Sequence, residues 1–239
     1  MIRTPAALLP PDEAARLHSL RHYDILHSGP EGIFDELVAF SAHLFGLPVA
    51  YITLADADHL HFKAVYNLPQ LPPQERQHLL CAQVIKHNRL VLYYDLAIAP
   101  QTPLYGPAIR YALAQQAQFY VGAPLCTAGQ PALGTLCLLG QEPRSFSSEE
   151  QEVFACLGQV IGQLIAVRYH CRSTHTTGEN HWQHVQGQLR DEVFALQALV
   201  RYLLTRYGAR VPVSEDVLEV VVRRLQDLQD TLREHMASI

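Results

Sequence analysis

The sequence predicts an α+β fold: an antiparallel sheet covered by helices, followed by a C-terminal α-helical hairpin or coiled coil. Three observations carry this. First, residues 118–140, QFYVGAPLCTAGQPALGTLCLLG, read as two apolar strands around a short turn. Phe119, Val121, Ala123 and Leu125 alternate with Tyr120, Gly122, Pro124 and Cys126, and Leu133, Thr135, Cys137 and Leu139 share a face. That is period-two spacing. In the turn, Thr127–Pro131, Gly129 tolerates positive φ and Pro131 ends pairing. Second, segments of helical period flank this hairpin on both sides. Third, Leu218, Val221, Leu225, Leu228 and Leu232 step by three, four, three and four, which is a heptad seam.

The remaining elements follow in chain order. Residues 1–14 read as an N-terminal arm. Pro11-Asp12-Glu13 opens a helix whose apolar side is Leu17 and Leu20, and Ser28-Gly29-Pro30 breaks it. Glu31 to Phe45 is a second helix through Phe34, Leu37, Val38, Ala42 and Phe45, with Gly46 as its stop. Val49–Leu54 and His59–Tyr66 are strands around Ala55–Asp58. In the latter, Leu60, Phe62, Ala64 and Tyr66 fall on one face and His59, His61 and Lys63 on the other. Gln74 to His87 reads as a helix, Leu90 to Tyr94 as a short strand, and Ala97 to Gln116 as a long irregular stretch. Ser147-Ser148-Glu149-Glu150 caps a helix running to about Arg172, with Phe154, Leu157, Val160 or Ile161, and Leu164 as a dimer-type seam. A polar break over residues 173–178 precedes two more helices. The first is marked by Trp182, Val185, Leu189, Val193, Leu196 and Leu203; Gly208 and Pro212 end it, and Ser214 caps the second.

Composition narrows the function. At 239 residues with 49% hydrophobic content, the chain can bury a core as one large or two small domains. No apolar run reaches the roughly 18 residues that cross a membrane, so no membrane partner is expected. Pro10-Pro11-Asp12-Glu13 stands where a signal peptide would need its apolar stretch. The net charge is −5 and no basic arm or stripe is present, so no nucleic acid partner is expected. The five Cys form no CxxC and are odd in number, which reads as reduced thiols in a cytoplasmic protein.

FYVGAPL, a turn, ALGTLCLL and then PRSFSSEEQ leading into a helix resemble the closing signature of the GAF domain family. LADADHLHFKAVYNLP and HLLCAQVI are similar to earlier segments of that family, so the resemblance covers residues 15–172. It departs from the family pattern at His59-Leu60-His61, where many relatives carry Arg-Gln-Trp, and at Asn67, where Gly is usual. Gln118 stands for a frequent Arg, and Gly140 for a frequent Asp. The resemblance implies a sensory, signalling module without catalysis. It also implies a possible small-molecule ligand held between the sheet and residues 74–116. The candidate ligand-binding residues are Phe62, Tyr66, Cys81, Asp95, Tyr105, Tyr111, Phe119 and Tyr120. The alternative is that these aromatics only fill the core, which leaves a structural adaptor.

Bilin-binding relatives attach their chromophore through a Cys followed by His. Here Ala82, Thr127, Leu138 and Leu157 follow Cys81, Cys126, Cys137 and Cys156, so no covalent bilin is expected and the cofactor is otherwise unknown. The Asn-Lys-Phe-Asp-Glu signature of cyclic-nucleotide relatives is absent. A thiol-based redox protein is a second alternative. A turn centred on Gly129 sets Cys126 and Cys137 about 17 Å apart at ~3.4 Å per residue. A disulfide needs Cα atoms within about 7 Å, while other pairs such as Cys81 with Cys126 stay open. His59 with His61, and His170, Cys171, His175, His181 and His184, match no zinc spacing, so no metal is expected. A kinase-like phosphoacceptor hairpin would use His181 or His184, but the surrounding residues lack the matching box. No GxSxG, P-loop, dinucleotide fingerprint or HExxH is present, so no catalytic residue is expected.

Residues 179–239 are expected to form a helical hairpin for dimerisation or partner docking. Two seams left open on one chain would close as a four-helix bundle in a homodimer, which a signalling protein partner then reads.

Overall fold

Alternating apolar residues build six strands into one antiparallel sheet. The computed structural model describes residues 4–69, 71–127, 129–173, 178–208 and 211–237. The strands are β1 (Val49–Ala55), β2 (His59–Tyr66), β3 (Gln74–Glu75), β4 (Val91–Tyr93), β5 (Phe119–Leu125) and β6 (Gly134–Gly140), in the order β3-β2-β1-β6-β5-β4. The helices are α1 (Glu13–His22), α2 (Gly32–Phe45), α3 (Cys81–His87), α4 (Gly106–Ala114), α5 (Ser148–Arg172), α6 (Gly178–Tyr207) and α7 (Glu215–Ala237). Gly46 ends α2 in the left-handed conformation, at φ 61°. Ala128 of the expected turn and residues 174–177 of the expected polar break lie outside the described residues.

The sheet has two covered faces because β1, β5 and β6 are apolar on both sides. Ile52, Leu54, Phe119, Val121, Leu136 and Leu138 face α2 and α5. Tyr51, Leu60, Tyr120 and Cys137 face α3 and the residues around α4. The β5–β6 register sets Gly122 opposite Cys137, one residue from the pairing that a turn centred on Gly129 gives. Close approach fixes α5 on β5: a Cβ on Gly162 would lie 2.0 Å from the Cys126 carbonyl oxygen.

One irregularity redirects half a strand. β2 pairs Phe62 with Thr53 and Ala64 with Ile52, so Lys63 is an extra residue in the ladder. A one-residue shift exchanges the faces of everything beyond it. Leu60 and Phe62 therefore face α3 and α4, whereas Ala64 and Tyr66 face α2. Lys63 itself reaches Glu31 at 2.9 Å and the Gly29 carbonyl at 2.7 Å.

Two expected segments differ. Residues 74–87 do not form one helix. Gln74 and Glu75 pair with Leu60 and His59 as β3, and Arg76–His78 make a 3₁₀ turn before α3. The cause is Arg76, which is fully buried and donates to Glu13 at 2.6 Å and to the Asp56 carbonyl at 3.2 Å. Residues 97–116 are not irregular throughout, since they contain α4, with Pro107 in its first turn.

The C-terminal helices pack on the rest of the chain. α7 lies along α5, and α6 lies against α2 and α5, so α2, α5, α6 and α7 form one helical layer. Leu218, Val221, Leu225, Leu228 and Leu232 are buried here, as are Phe154, Leu157, Ile161 and Leu164 of α5. Both seams on which a homodimer was expected are thus covered within one chain. Glu150, also buried, joins the layer to the sheet. It completes a capping box with Ser147, accepts from Arg144 at 2.6 Å and accepts from the Val213 N–H at 3.0 Å.

Candidate functional site

On the sheet face opposite the helical layer lies a cavity of about 170 Å³. Its floor is Val49 and Tyr51 of β1, Phe62 of β2 and Leu139–Gly140 of β6. Leu68, Leu71 and Leu79 form one side. Tyr111, Gln115 and Gln116, at the end of α4, close the other with Gln74 of β3. The two sides are tied together. The Tyr111 hydroxyl donates to Gln74 Oε1 at 3.3 Å, and the Tyr111 ring stacks on His78 at 6.1 Å between centroids. Tyr51 and Phe62 meet edge to face at 5.5 Å.

The electrostatics of this cavity are simple. Among the described residues its lining includes no Asp, Glu, Lys, Arg or His. Its polar groups are neutral amides, the Tyr111 hydroxyl and backbone. Gly140 is part of the wall, where the family resemblance puts a frequent Asp, and the Gln118 N–H donates to its carbonyl at 2.8 Å. Larger clefts run over the helical layer, including one of about 380 Å³ between α6 and α7. That cleft is lined by Val193, Leu196, Leu199 and Leu228 but also by Glu192, Arg224 and Asp227, so charged side chains face it.

Behind the cavity floor is a buried polar column. The Thr53 and Thr135 hydroxyls are 2.7 Å apart, and Thr135 Oγ1 is 3.2 Å from Cys137 Sγ. The Tyr120 hydroxyl is 3.3 Å from the same sulfur, and Cys81 Sγ is 3.5 Å from it. Cys81 also reaches the Tyr51 hydroxyl at 3.8 Å. Tyr51 therefore serves both sites: its ring walls the cavity and its hydroxyl meets the thiols. Burial pushes the Tyr51 and Tyr120 hydroxyls well above the usual phenol value, so both stay protonated.

The eight sequence-predicted residues separate into groups. Phe62 and Tyr111 line the cavity. Cys81 and Tyr120 lie on the same face of the sheet but in the buried column. Tyr105 is hydrogen-bonded to His87 at 2.8 Å, away from the cavity wall. Asp95 accepts from the Ala97 N–H at 2.8 Å and shapes its own loop. Tyr66 and Phe119, expected at the ligand site, lie instead on the helical side of the sheet, Tyr66 bonded to His43 and Phe119 packed on Phe146, and do not reach this cavity. Sequence reasoning missed Tyr51, Leu79 and the glutamines. Tyr51 gave no signal because both faces of β1 are apolar, and amides carry no motif.

Residues 29–165 match the GAF domain family, more than half of the chain. The chain belongs to that family. The matched residues contain β1, β2, β3, β4, β5 and β6, the cavity on one face of that sheet, and α2 and most of α5 on the other. A cyclic di-GMP phosphodiesterase of Pseudomonas aeruginosa is 27% identical over 214 residues, a match of 89% of this chain and 34% of that protein. The chain thus spans about a third of the length of the curated relative it matches. The match is longer than residues 29–165, so it takes in residues outside the GAF domain itself. The GAF domain of an Acinetobacter phosphoenolpyruvate-protein phosphotransferase is similar at a TM-score of 0.48 and 16% identity, over 65% of this chain and 95% of that one. The GAF domain of a Coxiella burnetii phosphoenolpyruvate-protein phosphotransferase is similar at 0.47 and 17%, over 67% and 96%. None of the described helices is long and apolar enough to cross a membrane.

Proposed function

We propose that this GAF domain is a non-enzymatic sensor of a small, neutral, largely apolar molecule, and that the helical layer passes the signal on. The observation that carries the reading is the cavity whose described lining bears no charged side chain. Burying an unpaired ion there would cost several kcal/mol or more. Tyr51, Phe62 and Tyr111 offer ring faces and edges, and the glutamines offer one or two hydrogen bonds to orient a ligand. At about 170 Å³ the cavity is small beside the roughly 300–1,000 Å³ of pockets that enclose drug-sized ligands. A cyclic dinucleotide, with two phosphates, suits neither its size nor its charge. The match of residues 29–165 to the GAF domain family supports a regulatory role.

A ligand biases a switch only through its different affinities for the two states. Here a ligand against Leu139 and Gly140 presses on β6, which pairs with β5, on which α5 is seated. A shift of α5 carries α6 and α7 with it. The outward face of α6 presents Phe194, Ala198 and Tyr202 at i, i+4 and i+8, with Phe194 65% exposed. A homodimer in this proposal forms through that face, not through the α5 and α7 seams, and a signalling protein reads the resulting assembly.

Thermal unfolding with phenol, indole and benzamide, against benzoate and benzylamine as charged counterparts, tests the ligand reading. The neutral probes raise the midpoint and the charged ones do not, and Leu79→Trp, which fills the cavity, removes the effect. Equal stabilisation by the charged probes, or a shift that survives Leu79→Trp, overturns it.

A further inference from the structure

Cys81 and Cys137 are 56 residues apart in sequence, and their sulfurs are 3.5 Å apart. Both side chains are fully buried. A disulfide bond is about 2.05 Å long, so roughly 1.5 Å of motion separates this pair from one. The two sulfurs have unequal anchors. Cys137 is in the middle of β6, hydrogen-bonded on both sides by β1 and β5. Cys81 is the first residue of α3, a seven-residue helix preceded by a 3₁₀ turn and two linking leucines. The α3 side is therefore the part that can move.

The surroundings differentiate the thiols. Burial opposes a thiolate at Cys81, but donors from Cys137, Thr135, Thr53 and Tyr51 outweigh it and hold Cys81 below the ordinary thiol range. Burial and the charge on Cys81 together drive Cys137 well above it. Cys126, Cys156 and Cys171 are each pushed up by burial, and Cys126 is hydrogen-bonded to Asn88 at 3.2 Å. Neither cysteine lines the cavity, but Tyr51 links the two: its ring is part of the cavity wall and its hydroxyl is 3.8 Å from Cys81 Sγ.

We propose that Cys81 and Cys137 are a modification site: a dithiol that a small hydroperoxide entering through the cavity oxidises to an intrachain disulfide. The Cys81 thiolate attacks the terminal peroxide oxygen. An S–O bond forms, the O–O bond breaks, and the leaving oxygen takes a proton and departs as alcohol or water. The Cys137 sulfur then attacks the Cys81 sulfenic acid. The S–S bond forms, the S–O bond breaks, and water leaves with the Cys137 proton. Two thiols are oxidised and one peroxide is reduced. Closing the bond draws the start of α3 toward β6 and withdraws the sulfur partner of the Tyr51 hydroxyl. Leu79, two residues before Cys81, moves with it, so the cavity of the oxidised protein differs in shape. The site does not rest on the ligand reading, since the 3.5 Å approach of the two sulfurs holds whatever the cavity binds; a molecule filling the cavity slows the entry of peroxide without removing the site.

The test uses the whole chain with hydrogen peroxide, followed by alkylation under denaturing conditions and peptide mass mapping. The reduced protein alkylates at all five cysteines. After peroxide the expected product alkylates at three, with the peptides of Cys81 and Cys137 linked. The Cys126→Ser/Cys156→Ser/Cys171→Ser variant keeps the link, and Cys81→Ser and Cys137→Ser each abolish it. Five alkylatable thiols after peroxide, a link between any other pair, or Cys81 carried to sulfinic acid with Cys137 still free overturns the proposal. The wild-type result decides it even if a serine variant fails to fold.

Discussion

The Val213 N–H donates to Glu150 Oε1 at 3.0 Å, and this one bond ties the connection between α6 and α7 to the first turn of α5. The same oxygen accepts from Arg144 at 2.6 Å, and Glu150 Oε2 accepts from the Ser147 N–H at 2.9 Å. Arg144 in turn donates to the Phe45 carbonyl at the end of α2. A single buried carboxylate thus holds together a helix cap, the end of α2 and the C-terminal helices.

Removing that carboxylate strands a buried guanidinium and an N–H at once. Glu150→Ala is expected to cost about 3–5 kcal/mol of stability, the range for breaking one partner of a buried pair. Glu150→Gln keeps an acceptor for Val213 and costs less. Urea unfolding followed by the fluorescence of Trp182, the chain's single Trp and buried in α6, measures both. A loss below about 1 kcal/mol for Glu150→Ala contradicts the role given to it.

Acid stability follows from two other carboxylates. Burial opposes ionisation of Glu31, but Lys63 and Arg168 outweigh it and hold the carboxyl below its ordinary value of 4.5. Burial likewise opposes Glu13, and Arg16 and Arg76 hold it below 4.5. Each group ionises more readily folded than unfolded. Its contribution is therefore fully present above pH 4.5 and disappears as pH falls through the lower folded value. The urea midpoint is expected to drop steeply below that pH, and Glu31→Gln is expected to flatten the drop while lowering stability at neutral pH. An unchanged acid limb in Glu31→Gln would show that the ion pair with Arg168 and Lys63 contributes nothing.

The seating of α5 on the sheet depends on Gly162. A methyl group there meets the Cys126 carbonyl oxygen at 2.0 Å, and that oxygen is backbone. Gly162→Ala is expected to destabilise by about 1–3 kcal/mol, as overpacking does. Gly187, on exposed α6 with nothing within 4 Å, is the control, and Ala there is expected to gain about 0.5–1 kcal/mol. Thermal unfolding of the two variants should move in opposite directions.

What the sequence revealed depended on whether a residue's neighbours are near in sequence. The β5–β6 hairpin and the helix cap at Ser147 are local patterns; the cap stands as read, and the hairpin forms one residue out of the expected register. β3 is only two residues, paired with a strand that precedes it by a dozen or more, and its Gln and Glu carry no strand preference. The Lys63 bulge is silent in sequence because alternation looks intact on paper, yet it moves Tyr66 off the cavity face. The cavity itself was half legible. The aromatics Phe62 and Tyr111 could be chosen by type, whereas Leu79 and Gln116 belong to the wall only through the path of the chain. The seams of α5 and α7 show the same limit, since a heptad pattern states that a face is covered and not which chain covers it.

That last point has a direct test. Leu225 is fully buried within one chain, in the middle of α7 against the helical layer. Leu225→Ala removes its buried side chain and leaves a cavity, with an expected cost of about 2–5 kcal/mol. Because the packing is intrachain, both the wild-type urea midpoint and the size of the loss should be the same at low and high protein concentration. Were the seam instead shared between two chains, the wild-type midpoint would rise with concentration by mass action, and Leu225→Ala would shift the protein toward monomer. Sedimentation at matched concentrations separates this from a dimer through the outward face of α6. A Phe194→Glu variant would break that dimer while leaving the unfolding of each chain nearly unchanged, because Phe194 is exposed.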